Sequence, residues 1–198
     1  MCNLYRMSAS RSEVAAFFDT VAEGSNDNTP EDIYPGYPGL VLAEGQVRQM
    51  VWGFPLHRKG ARGQPLKPRP VNNTRSENFD SPFWRDSYRK RRCLIPVSAF
   101  AEMEGEKGRM TRVWFSPPGD DLFAIAGIWR DTGEWGAAYS MIMTDACIPV
   151  SGVHDRMPAI IARSDWPDWL SGEPDAACLL CRPYENLEAF HEGQPKLL

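Results

Sequence analysis

Leu122-Phe123-Ala124-Ile125-Ala126-Gly127-Ile128-Trp129 and, just after it, Ala138-Tyr139-Ser140-Met141-Ile142-Met143-Thr144 decide the fold class. Both segments are rich in branched and aromatic residues and read as strands. Working outward, Cys93–Val97 and Arg112–Phe115 have the same character. Leu40–Ala43 and Val47–Trp52 form a predicted hairpin around Glu44-Gly45, and residues 3–6 a short first strand. Helices are few. Ser10-Arg11-Ser12-Glu13 has the form of a capping box, and Val14, Phe17, Phe18 and Val21 continue at helical spacing up to Gly24. Ser81-Pro82 opens a second helix through about Lys90, and Ser164–Leu170 a third, after a further strand at Ile160-Ile161. Residues 25–38 and 54–70 lack any period and read as loops. About seven strands and three or four helices make an α+β domain around an antiparallel sheet or barrel.

The chain has 198 residues, 42% of them hydrophobic, which suits one domain over residues 1–198 with residues 190–198 as a frayed end. Its apolar runs fall far short of the ~20 residues of a membrane span. The N-terminus lacks a signal-peptide layout, so a cytoplasmic location is expected. Five cysteines at irregular spacings argue against a disulfide framework. Cys178-Leu179-Leu180-Cys181 is a lone C-x-x-C, read as two buried thiols and not as a metal site.

The net charge is −4, but it is unevenly spread. Residues 58, 59, 62, 67, 69, 75, 85, 89, 90, 91 and 92 are Lys or Arg, while that segment holds only Glu77, Asp80 and Asp86. It carries +8 and leaves −12 elsewhere. Either this is a solvated face or it is a phosphate-binding stripe that includes Arg58 and Lys59. The aromatics Trp52, Phe54, Phe83 and Trp84 interleave with it, as stacking platforms for a single strand or as core.

Four residues could carry chemistry. Cys2 becomes terminal once Met1 is removed, and then offers a 1,2-aminothiol that condenses with an aldehyde to a Schiff base and closes to a thiazolidine. Position alone also fits a small apolar residue in a first strand. Asn73, in Asn72-Asn73-Thr74-Arg75-Ser76-Glu77, is either a turn residue or a positioning amide. Glu102 follows Phe100-Ala101, a setting that raises a carboxyl pKa toward acid/base use, or is an acid at a strand end. His154 follows the strand ending at Thr144, as a proton shuttle or as a structural partner of Asp155.

Taken in order, Met1-Cys2-Asn3, Trp52-Gly53-Phe54-Pro55, Asn73-Thr74-Arg75-Ser76-Glu77, Arg92-Cys93-Leu94-Ile95-Pro96 with Phe100-Ala101-Glu102, Ala126-Gly127-Ile128-Trp129, Thr144 and His154-Asp155-Arg156-Met157-Pro158 resemble the SOS response-associated peptidase (SRAP) family. The likeness runs to about residue 160. It implies a compact domain with a twisted, antiparallel β-barrel-like core, peripheral helices and a single-strand channel. It implies Cys2 as the nucleophile toward ring-opened abasic sites in single-stranded DNA, Asn73 as its positioner, Glu102 as general acid/base and His154 as an aid to ring opening. Arg75 and Arg156 would grip phosphates, Trp52 would form a wall, and Thr144 would line the site. No metal or cofactor is implied, and a monomer is expected. Cysteine-type autopeptidase or lyase chemistry at Cys2, and a non-covalent strand-binding module, are the alternatives. Asn3-Leu4 stand where many members have Gly-Arg, and Ala101 and Met103 replace two aromatics around Glu102.

Overall fold

The computed structural model describes residues 2–22, 24, 29–106 and 108–192. Its first half contains β1 (Tyr5–Arg6), α1 (Arg11–Phe17), β2 (Val21–Ala22), β3 (Asp32–Ile33), β4 (Pro38–Ala43), β5 (Gln46–Trp52), β6 (Phe54–Lys59), β7 (Pro65–Val71), β8 (Asn73–Arg75) and α2 (Arg85–Lys90). The second half contains β9 (Arg92–Val97), β10 (Ala99–Glu104), β11 (Thr111–Ser116), β12 (Phe123–Thr132), β13 (Gly136–Asp145), α3 (Ile148–Ser151), β14 (Arg156–Pro158), α4 (Trp166–Ser171), α5 (Pro174–Cys178) and β15 (Glu188–His191).

Five strands close a ring in the order β13, β12, β9, β4, β5 and back to β13. Four of its junctions are antiparallel, and the fifth, β5 with β13, is parallel, with Val51 opposite Ala138 and Trp52 opposite Tyr139. An odd-numbered ring cannot alternate direction all the way round, so one parallel junction is a topological necessity. A second, five-stranded sheet runs β15-β11-β10-β1-β3, and β6 and β7 form a separate two-stranded ribbon. Ring strand β12 is buried from Phe123 through Trp129, as its near-continuous apolar sequence requires of a strand covered on both faces.

The β4–β5 turn is Glu44-Gly45, with φ of 52° and 75°. Two consecutive positive φ angles give the turn whose twist matches paired strands. Gly39, on β4, faces the hydroxyls of Tyr5 and Tyr139, which hydrogen-bond to each other. A side chain at residue 39 would drive into both. Gly39→Ala is therefore expected to destabilise the protein by about 2 kcal/mol, read as a lower denaturant midpoint with an unchanged m-value.

Several expectations are corrected. The capping box forms, with Glu13 N donating to Ser10 Oγ at 3.3 Å and Ser10 N to Glu13 Oε2 at 2.7 Å, but the helix stops at Phe17. Asp19 adopts φ 52°, which breaks the helix, and Val21 pairs with Gln46 instead. Residues 54–70 form the β6–β7 ribbon and not a loop. Most of the ribbon is exposed on both faces, so no alternation marks it in the sequence. Within 25–38, residues 25–28 lie outside the described residues, and β3 and the start of β4 occupy part of the remainder. Ser81 does not cap α2. Its carbonyl accepts from Trp84 N and Arg85 N in a preceding turn. Ile160 makes only an isolated bridge to Ile125, and the strand lies at Arg156–Pro158. Phe190 and His191 are not frayed, because they pair with Trp114 and Val113; residues 193–198 lie outside the described residues. No helix among the described residues is long and apolar enough to cross a membrane.

Candidate active site around Cys2

Residues 2–4 run beside β10, where Ala101 N donates to Leu4 O at 3.0 Å. This lays Cys2 against the strand that carries Glu102. Asn73 reaches it from β8, which pairs in parallel with β13, Asn73 opposite Met141. Asn73 Nδ2 donates to the Cys2 carbonyl at 2.6 Å. Its Oδ1 is buried, with no hydrogen-bond donor among the described residues. Asn72 also bonds the Cys2 carbonyl, at 3.2 Å, and Asn3 Oδ1 at 3.2 Å. Spacing along the chain does not select Asn72, because only Asn73 fits the Asn-x-Arg-x-Glu pattern. The adjacency of the two amides is the one signal the sequence offers for it.

Cys2 is fully buried, with its Sγ donating to Leu4 O at 3.3 Å. Burial pushes the thiol well above its ordinary pKa, and the nearby Glu102 carboxylate pushes it further in the same direction. Glu102 is itself 6% exposed. Burial raises its carboxyl pKa, while His154 pulls it the other way. Cys2 is thus linked to Asn73 by a hydrogen bond and to Glu102 electrostatically, and Glu102 in turn to His154. Met1 lies outside the described residues.

His154 Nδ1 lies 2.9 Å from Asp155 Oδ1 and 2.9 Å from the Arg156 amide N. One nitrogen cannot serve both contacts at once. A protonated Nδ1 donates to the carboxylate, whereas a bare Nδ1 accepts from the amide. Nδ1 thus finds a partner whether it bears the proton or is bare.

The expected strand-contact residues divide. Arg75 is exposed, with no ion pair among the described residues. Arg58 and Lys59 project from the β6–β7 ribbon. Trp52 and Trp84 are buried and offer no exposed face, which corrects their reading as wall and platform. Trp52 is instead a strut, its indole N–H donating to Asn72 O at 2.9 Å. Phe83 is half-buried under the Arg130 guanidinium, at 4.5 Å. Thr144 is buried and donates its hydroxyl to Cys181 O at 2.9 Å. Arg156 pairs with Glu77 at 2.6 Å and Asp145 at 3.2 Å, which commits its charge locally. Cys181 is buried and Cys178 partly exposed, both as free thiols. Among the described residues no cluster of three His, Cys, Asp or Glu could hold a metal.

A closed mixed barrel, with a buried second-residue cysteine whose carbonyl is held by two asparagines and whose thiol feels a buried acid, defines a small α+β protein. The chain belongs to the SOS response associated peptidase (SRAP) family, whose model matches residues 1–192. It is 28% identical over 158 residues to the abasic site processing protein YoqW of Bacillus subtilis, covering 75% of this chain and 70% of that one. It is 37% identical over 82 residues to the abasic site processing protein HMCES of Rattus norvegicus, 37% of this chain and 23% of that one. Solved structures of proteins from Bacteroides thetaiotaomicron and Bordetella bronchiseptica share the fold. Each has a TM-score of 0.80, at 20% and 22% identity, and they cover 96% and 98% of this chain and 91% and 100% of their own.

Proposed function

We propose that this protein acts in the DNA-damage response by trapping abasic sites in single-stranded DNA as a covalent adduct on Cys2. The observation that carries this reading is the clamp on the Cys2 carbonyl by Asn73 beside the buried Glu102 carboxyl. It fixes the chain's second residue, and the Glu102 charge is felt at its thiol. The names of the relatives supply the substrate class.

After Met1 removal the Cys2 α-amine, with an ordinary pKa near ~8, is partly unprotonated at neutral pH. It attacks the C1′ aldehyde of the opened sugar to give a carbinolamine. Protonated Glu102 passes its proton to the departing hydroxyl, water leaves, and an iminium forms. The thiol then adds to the iminium carbon while its proton returns to the Glu102 carboxylate. The products are a thiazolidine, one water and a restored acid. His154 assists the preceding step, moving a proton between the C1′ hydroxyl and the ring oxygen. Asn73 Oδ1, a buried acceptor, takes a donor from the incoming sugar or the amine. Arg75 meets the phosphate beside the lesion.

The test is a denaturing gel of Met1-processed protein with an oligonucleotide carrying one abasic site. Wild type should give a band that survives boiling. Cys2→Ala and Cys2→Ser keep the amine, so they should give a band only after borohydride reduction of the imine. A boiling-stable band in Cys2→Ala without borohydride would refute the thiazolidine.

A further inference from the structure

Asn72 has no part in the chemistry above, and its contacts show what it is held for. Its main-chain carbonyl accepts two donors, the Met141 amide at 2.8 Å and the Trp52 indole N–H at 2.9 Å. Those bonds anchor residue 72 to the ring strands β13 and β5. Its side chain reaches the other way, to the N-terminus, with Nδ2 3.2 Å from Cys2 O and 3.2 Å from Asn3 Oδ1. A main-chain carbonyl only accepts, so the group facing Cys2 O is the NH2, and its second hydrogen goes to the Asn3 oxygen. Both hydrogens of Asn72 Nδ2 are therefore used on residues 2 and 3. Neither asparagine fills the core, since Asn72 is half-buried and Asn3 exposed.

We infer that Asn72, locked to Asn3, is a positioning residue that aims the Cys2 α-amine for its attack on the aldehyde. The inference rests on the reading of Cys2 as an N-terminal nucleophile and adds the means by which a free chain end is held still. Chain ends fray unless tied down, yet this one must present its amine in one direction. Asn73 gives the Cys2 carbonyl a single hydrogen bond, at 2.6 Å. A carbonyl held by one donor can still turn about that bond. A second donor from a different side chain removes the rotation and fills the second lone pair. The thiol is held separately, through Leu4 O at 3.3 Å. With carbonyl and thiol both fixed, the geometry of the tetrahedral Cα sets the direction of the amine. Asn3 completes the lock, because its oxygen keeps the Asn72 amide turned toward the chain end instead of toward water. The exposed position of the pair means that this order adds little to global stability.

The experiment is a double-mutant cycle on Met1-processed protein, with Asn72→Ala, Asn3→Ala and the pair. Time courses of adduct formation at rising concentrations of an oligonucleotide with one abasic site give a saturating rate and a half-saturating concentration. Asn72→Ala should lower the saturating rate about ten-fold and leave the half-saturating concentration and the thermal melt unchanged. Asn3→Ala should lower the rate less, and the double variant should be no slower than Asn72→Ala alone, because the two side chains act as one unit. A kept saturating rate, a loss confined to the half-saturating concentration, or single effects that multiply in the double variant would overturn the inference. A second readout needs no chemistry at Cys2. The backbone NMR order parameter of the Asn3 amide should fall from about 0.85 to below about 0.6 in Asn72→Ala, with that of Tyr5 unchanged. A wild type that forms no adduct would sink the adduct reading alone. The order at Asn3 would then decide for the lock if it falls in Asn72→Ala, and against it if it stays.

Discussion

Glu102→Gln is expected to slow adduct formation on abasic DNA by about 10²-fold or more, the usual contribution of a placed general acid/base. Glutamine fills the same space and keeps a hydrogen-bonding group, but it can neither give the proton that expels water nor take the one from the thiol. The pH profile separates this from a packing defect. Burial raises the Glu102 carboxyl pKa, so its protonated form persists to higher pH than that of an exposed glutamic acid. The wild-type rate should rise with pH as the α-amine loses its proton, then fall as Glu102 ionises. In the variant the falling limb should vanish.

Stability should move the other way. A carboxyl whose pKa is raised in the folded state binds its proton more tightly there than in the unfolded chain. Above the ordinary carboxylate range this costs the native state free energy, about 1.4 kcal/mol for each pH unit that separates the folded and unfolded pKa values. Glu102→Gln removes that cost, so at pH 8 the variant should melt at the same temperature as wild type or higher. Below pH 4 the two should converge. A slower enzyme that is no less stable is the signature of a group strained for its chemistry. An inactive variant that also melts earlier at pH 8 would instead mark Glu102 as a structural residue.

What the sequence revealed, and what it hid, follows from which patterns leave a trace along the chain. The ring strands were legible because burial on both faces writes an apolar run, as from Phe123 to Trp129. The Glu44-Gly45 turn was legible because a pair of positive φ angles demands such residues. The ribbon was not, since a pair of strands open to water on both faces has no reason to alternate. The two-residue strands β2 and β3 exist only through their long-range partners β5 and β1. At the site, Cys2, Glu102 and His154 were picked out by neighbouring residues and by resemblance, but nothing local could show that Asn72 reaches back to Cys2 across a separation of 70 residues. Nor could composition tell a tryptophan platform from a strut. Trp52 has the same neighbours in either role, and only its bond to Asn72 O decides.

Charge is read least reliably of all, and Arg92 shows why. It belongs to the basic run from 58 to 92, yet it is 7% exposed. Its Nε donates to Trp169 O, its NH1 to Tyr88 O at 3.0 Å and its NH2 to Gly172 O. One guanidinium thus ties β9 to the end of α2 and to both the body and the C-terminal end of α4. Trp169 in turn donates its indole N–H to Cys93 O at 2.8 Å. Burial pulls the Arg92 pKa down from its ordinary value, a cost these carbonyls offset. Arg92→Ala would leave two buried acceptors and one partly buried acceptor without this donor and open a void beneath Trp169. The expected loss is about 4 kcal/mol, a large share of the roughly 5–15 kcal/mol that typically holds a domain together. For a chain of this size the melting temperature should fall by about 10 °C. Arg92→Lys should recover little, because an ammonium cannot span carbonyls arranged for a planar fork. The salt dependence of DNA binding, measured below the melting transition, should be unchanged in both variants. A shallower salt slope for Arg92→Ala at full stability would return this residue to the DNA-binding surface, and the neighbouring lysine and arginines with it.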